Sequence, residues 1–131
     1  MNYLVDTDWI IDALAPMPSA LDALDKLASD GMAVSIITLG ELYEGAVRSP
    51  DPEAGFRAIR GFLVGFSVLN LSEAIVEVFA QVRADLRQRG LLIADLDLLI
   101  AATALSHELV LVTRNRRHFE RIPGLLLFPP S

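Results

Sequence analysis

The sequence predicts an α/β fold in three layers: a mostly parallel sheet of four to five strands flanked by helices on both faces. Three observations predict it. Short apolar runs that read as strands alternate with longer runs of helical spacing, the pattern of a parallel sheet with crossover helices. The length, 131 residues, fits one domain spanning 1–131 and leaves no room for a second. Apolar residues make up 53% of the chain, enough for a core without disulfide or metal staples.

Each element follows from local pattern. Tyr3–Val5 is a short apolar run ending at Asp6 and reads as the first strand. Thr7–Leu14 places Trp9, Ile10, Ala13 and Leu14 at helical spacing. Pro16 and Pro18 stop that helix, and Ser19 is positioned to cap a second one running to about Ser29. Asp30-Gly31 is a turn, and Ala33–Ile36, apolar and β-branched, is the second strand. A helix from Thr38 to about Val47 ends near Ser49-Pro50, and another runs from Pro52 to about Val64 with Phe56, Ile59, Phe62 and Leu63 on one side. Ser67–Leu69 is a third strand. Ser72–Gln88 carries the clearest stripe, Ile75, Val78, Phe79, Val82 and Leu86, opposite Glu73, Glu77, Arg83 and Arg87; Gly90 terminates it. Leu96–Ser106 is apolar nearly all round, as a helix packed on a sheet must be. Leu109–Val112 is a fourth strand, Arg116–Arg121 a helical turn, and Leu125–Phe128 a last strand before the loose tail Pro129-Pro130-Ser131.

Composition narrows the function. The absence of cysteine excludes thiolate metal sites and fits a reducing compartment. No signal-peptide pattern opens the chain and no apolar run is long enough to span a bilayer, so the expected location is the cytoplasm. A formal charge of −6 argues against a module that merely coats nucleic acid, since such proteins are basic. It does not argue against a nuclease whose carboxylates carry a divalent cation, because the ion reverses the local sign. Arginine is the basic residue of choice; Lys26 is the single lysine, so most lysine-dependent chemistry is excluded.

Ligands of open α/β sheets sit beyond the carboxyl ends of the strands, where strand order reverses. Asp6 lies at the end of the first strand and Asn115 just after the fourth. Glu41 falls in the first turn of the helix after the second strand, and Asp97 in the first turn of the apolar helix that leads to the fourth. Three carboxylates and an amide from separate elements can thus open onto one rim. Clustered carboxylates repel unless something positive compensates, and the usual compensation is a hard cation with oxygen ligands, Mg²⁺ or Mn²⁺. Each residue also has a plainer role: Asp6 can cap a helix, Thr38 and Glu41 stand at capping-box spacing, Asp97 favours a helix dipole, and Asn115 suits a turn. Their joint placement, and the isolation of Asp97 in an apolar helix, favour a site.

Four motifs then carry a resemblance. Leu4-Val5-Asp6-Thr7-Asp8, Ile37-Thr38-Leu39-Gly40-Glu41-Leu42 with Gly45, the run Ile93–Ala104 around Asp97, and Val112-Thr113-Arg114-Asn115 with Phe119 and Ile122-Pro123-Gly124-Leu125 stand in the order of a VapC-type PIN domain, and the chain resembles that family over nearly its whole length. The resemblance implies a PIN-like fold and an endoribonuclease toxin of a toxin–antitoxin pair. It implies Asp6, Glu41 and Asp97 as catalytic acids and metal ligands, with Asn115 at a fourth position often occupied by Asp in the family. Mg²⁺ (or Mn²⁺) held there would activate water for hydrolysis of an RNA phosphodiester. Arg114, Arg116 and Thr113 are candidate substrate-binding residues. Asp95 stands outside the acid set. His107 and His118 fall outside the motifs and read as surface or helix-end residues.

The implied partners are RNA, a cognate antitoxin and a second copy of the chain as a homodimer, with no membrane. Apolar candidates for the antitoxin contact are Leu21, Leu24 and Leu27 on the second helix and Phe56, Phe62 and Phe66; an antitoxin Arg or Lys could also enter the acidic site. Two rivals stand beside this reading. Leu4–Asp8 also resembles the opening of haloacid-dehalogenase-like phosphatases, which need a later lysine that the early Lys26 does not supply. A catalytically idle PIN scaffold that binds protein is the other, and the intact acid set opposes it.

Overall fold

Alternation along the strands decides how the layers form. In the computed structural model, which describes residues 2–15 and 17–129, Leu4, Ala33 and Leu111 point to one face of the sheet and Val5, Val34 and Val112 to the other. The five strands are β1 (Tyr3–Val5), β2 (Met32–Ser35), β3 (Ser67–Leu69), β4 (Val110–Val112) and β5 (Leu127–Phe128), all parallel, in the order β3-β2-β1-β4-β5. The chain leaves β1 toward β2 and β3 on one side, then crosses back to β4 and β5 on the other. The switch point is therefore between β1 and β4, where Leu4 pairs with Leu111 and Val5 with Val112.

On one face pack α1 (Thr7–Leu14), α2 (Pro18–Ala28), α3 (Ile36–Val47) and α4 (Pro52–Phe62), around Trp9, Ile10, Leu24, Leu42, Ile59 and Leu63. On the other lie α5 (Glu73–Gln88), α6 (Asp95–Ser106) and α7 (Arg116–Phe119), around Leu86, Leu98, Ile100, Phe119 and Ile122. The predicted stripe of α5 is the face that meets this core, with Ile75 and Leu86 fully buried. The α6 helix buries six residues between Leu98 and Ala104, all but Leu99, which explains its lack of a polar face.

Helix starts differ from the sequence reading in two instructive places. Pro18 does not stop a helix but begins α2, where its missing N–H would have had no partner anyway, and Ser19 lies inside the first turn instead of capping it. Pro16 lies outside the described residues, as does the end of the tail. The second strand stops at Ser35, not Ile36, because the Ser35 hydroxyl accepts from the Ile37 amide and starts α3 two residues early. Thr38 is thereby moved from a cap to the third position of the helix, and Glu41 from its first turn to its second. Both side chains are released from capping, and both turn toward α1.

Candidate active site

Register brings the first acid to its neighbours. Asp6 leaves β1 as the cap of α1, and its Oδ1 accepts from the Thr7 amide at 2.8 Å. Its other oxygen, Oδ2, accepts from the hydroxyl of Thr113 at 2.7 Å. Thr113 follows β4 directly, so the pairing of Val5 with Val112 sets the two side by side. The Thr113 oxygen accepts in turn from the Asn115 amide at 3.0 Å, which fixes the turn carrying Asn115. The capping reading of Asp6 is thus correct, and it leaves the residue facing the switch point as well.

Asp6, Glu41, Asp97 and Asn115 line one cavity of about 300 Å³ at the carboxyl edge of the sheet. Each arrives from a different element: the end of β1, the second turn of α3, the first turn of α6 and the turn before α7. Asp8 and Glu44 line the same cavity. Sequence reasoning passed over these two, though Glu44 is three residues from Glu41 on one helix face. Asp95 turns outward to an ion pair with Arg83 at 2.8 Å, so it is not part of the cavity.

The electrostatics of the cavity are one-sided. Burial lifts the Asp6 carboxyl from its ordinary 3.8 to about 6, against the lowering effect of its Thr113 and Thr7 hydrogen bonds; the charges of Asp8 and Asp97 add to the rise. Asp97 is raised too, first by burial, then by Glu41 and Asp8, with His118 the lowering influence. These carboxylates are held together at a free-energy cost that a divalent cation would relieve. Oxygen donors of this kind suit Mg²⁺ or Mn²⁺ and not a thiophilic metal. The donor set therefore fits a hard cation. Among the described residues no three acids stand close enough together to form a closed ligand cage.

The flanking residues distribute differently from expectation. Arg114 lies outside the cavity lining: it stacks over the Trp9 ring, 4.5 Å from its centroid, and pairs with Asp12. Arg116 bonds the Pro129 carbonyl and pairs with Glu120. His118 stands in the last turn of α7, a helix-end residue as read, but it is not freely exposed. It is half-buried, and its Nδ1 lies 2.9 Å from Asn115 Nδ2, which as an amide nitrogen donates to the ring. The i, i+3 spacing from Asn115 into the short α7 was the available signal. His107 closes α6 and is exposed, as expected. Lys26, exposed on α2, does not line the cavity, so the phosphatase reading lacks its lysine.

A family model for the PIN domain matches residues 3–125. The chain belongs to the PIN-domain family. Similar proteins include the tRNA(fMet)-specific endonuclease VapC of Shigella flexneri, 34% identical over 125 residues that make up 95% of each chain. Among solved structures, a chain of VapBC2 from Rickettsia felis bound to a DNA fragment from their promoter superposes with a TM-score of 0.91 at 32% identity, covering 97% of both chains. A chain of a toxin–antitoxin complex from Klebsiella pneumoniae gives 0.76 at 30% identity, over 95% of this chain and 96% of that one. The five-stranded parallel sheet and its helical layers are accordingly those of a PIN domain. No helix among the described residues is long and apolar enough to cross a membrane.

Proposed function

We propose that this single PIN domain is a divalent-metal-dependent endoribonuclease, the toxin of a toxin–antitoxin pair, which hydrolyses RNA phosphodiester bonds. The observation that carries the reading is the cavity of about 300 Å³ at the switch point, into which three separate elements deliver Asp6, Glu41 and Asp97. The relatives named as VapC endonucleases and the VapBC complexes among the similar structures support the same reading. Asp6, Glu41 and Asp97 would hold the ion, which we take to be Mg²⁺ or Mn²⁺. When bound, it supplies the positive charge that activates water and offsets the charge of the phosphate.

The chain's own residues do the rest. Asp6 is oriented by Thr7 and Thr113, so a rigid carboxylate lines the cavity. Asn115, its amide nitrogen given to His118, keeps its carbonyl oxygen as an acceptor for an attacking water. With a net charge of −6, the protein has no general attraction for RNA, so phosphate binds only where the acids are neutralised. We place Arg114 and Arg116 near the path of the RNA strand and the protein in the cytoplasm; Thr113, expected to bind substrate, is fully buried and gives its hydroxyl to Asp6 instead.

The partner reading adds a cognate antitoxin. An apolar groove of about 260 Å³ runs between α1, α3 and α4 and shares Ile11 and Glu41 with the acidic cavity. A segment with an apolar side chain in the groove and a cation in the cavity would cover both. This moves the expected contact: Leu24 and Leu27 are buried in the core, and Leu21, Phe56, Phe62 and Phe66 pack against it.

The test is cleavage of labelled RNA by the purified chain. Activity is expected with Mg²⁺ or Mn²⁺ and none with excess EDTA. Asp6→Asn and Asp97→Asn are each expected to lower the rate by about 10²-fold or more. Full activity in EDTA, or near wild-type activity of either variant, overturns the assignment.

A further inference from the structure

We propose that Thr38, a residue outside the cavity, positions the acid Glu41 through the hydroxyl of Thr7, so that Thr38, Thr7 and Glu41 form a one-way hydrogen-bond relay. The proposal rests on the metal-site reading given above and adds residues to it that no motif assigns to that role.

The direction of the relay follows from counting protons. Thr7 Oγ1 lies 2.7 Å from Glu41 Oε1 and 3.1 Å from Thr38 Oγ1. A carboxylate only accepts, so the short contact consumes the single proton of the Thr7 hydroxyl. The contact with Thr38 must then use the Thr38 proton, with Thr7 as acceptor. Thr38 is fully buried, and no water competes for that proton. A threonine inside a helix commonly bonds the carbonyl one turn back instead. In α6, Thr103 does so, donating to the Leu99 carbonyl at 2.8 Å. Thr38 departs from that habit and reaches across 31 residues of sequence to α1.

The arrangement has a second independent support. Asp6, on the other wall of the cavity, is held in the same fashion: the Thr113 hydroxyl donates to Asp6 Oδ2, and the Thr113 oxygen accepts from the Asn115 amide. Two acids on two walls are each steadied by a threonine that is itself fed by a further donor. The relay ties α3 to α1 where the two helices flank the cavity, and it fixes one oxygen of Glu41. Positioning partners of metal ligands typically contribute 10–100-fold to metal affinity.

Thr38→Val keeps the shape of the side chain and removes the donor; Thr38→Ser restores the donor alone. The measurement is Mn²⁺ affinity by titration calorimetry on the purified full chain without RNA, alongside thermal melts in EDTA. Thr38→Val is expected to bind Mn²⁺ about tenfold more weakly, and Thr38→Ser within about twofold of wild type. In a Glu41→Gln background, Thr38→Val is expected to change Mn²⁺ affinity no further, because the relay acts only through Glu41. If Thr38→Val does not fold, Thr7→Val against Thr7→Ser is read in its place, with the same expectations. Unchanged affinity in the valine variant, or an equal loss in the Glu41→Gln background, overturns the relay while the metal site stands. If wild type and Asp6→Asn alike bind no Mn²⁺, the metal reading falls and takes the relay with it.

Discussion

Asp6 makes the tension between folding and function measurable at a single residue. It is 5% exposed, and burial raises its carboxyl from 3.8 to about 6. The folded state therefore holds this proton more tightly than the unfolded chain does. Its contribution to stability is complete below pH 3.8 and is lost as pH rises through about 6. At pH 7 the ionised group costs the metal-free fold roughly 3 kcal/mol. Asp6→Asn removes that cost while an amide oxygen still accepts from Thr7. In EDTA the variant is expected to be more stable than wild type at pH 7.5 and to lose its advantage at pH 4.5, as urea unfolding at the two values will show. A variant less stable at both would mean that the cap and the Thr113 bond outweigh the buried charge. The same residue that weakens the empty fold supplies the anion that a cation needs.

At the scale of elements, the sequence reading succeeded wherever a period was long and failed where a side chain had a choice of partner. The stripe Ile75, Val78, Phe79, Val82 and Leu86 placed α5, and the all-round apolarity of Leu96–Ser106 placed α6, because burial alone dictates such patterns. Ile36 was read as strand because it is β-branched, but the Ser35 cap outweighed that preference. The packing of α4 on α3 was not legible at all, since it depends on one glycine. A Cβ at Gly55 would stand 2.8 Å from Ala46 Cβ and 3.3 Å from its Cα. Neither atom can rotate away. Gly55→Ala gains about 1 kcal/mol of helix propensity but overpacks the crossing by about 1–3 kcal/mol, and net destabilisation by about 1 kcal/mol is expected. A Cβ at Gly61, near the end of the same helix, meets nothing within 4 Å, and Gly61→Ala is expected to stabilise by about 0.5 kcal/mol. Urea midpoints of the pair check both signs; stabilisation by Gly55→Ala would show that the helices part without cost.

For the molecule as a whole, the alternation of elements sufficed to place Asp6, Glu41, Asp97 and Asn115 on one edge, because a parallel sheet sends every strand end to the same side. What the alternation could not reveal was how side chains turn once there. Asp8 and Glu44 join the cavity, His118 bonds Asn115, and Arg114 turns to Trp9 and Asp12. These choices depend on three-dimensional neighbours that no spacing encodes. The groove is a second case. Leu24 and Leu27 looked free to meet a partner but complete the core, while the open apolar surface formed between α1, α3 and α4.

That groove supplies a prediction at the same scale. Ile11 and Leu14 from α1, Leu42 and Ala46 from α3, and Ala58 and Ile59 from α4 form its walls, and Ile11 and Glu41 join it to the acidic cavity. A partner seated in the groove can reach the acids with one cationic side chain, so binding and inhibition are coupled by geometry alone. Ala58 is exposed, lines the groove and does not line the cavity. A carboxylate there would be desolvated by an apolar partner segment without a compensating charge, which costs several kcal/mol. Ala58→Glu is therefore expected to bind the cognate antitoxin about 10²-fold more weakly and to cut RNA within about twofold of wild type. In cells, the variant is expected to arrest growth even when the antitoxin is co-expressed, whereas the wild type is neutralised and Asp6→Asn is harmless with or without it. Binding measured on the co-purified pair decides the matter: wild-type affinity in Ala58→Glu would place the antitoxin elsewhere on the molecule.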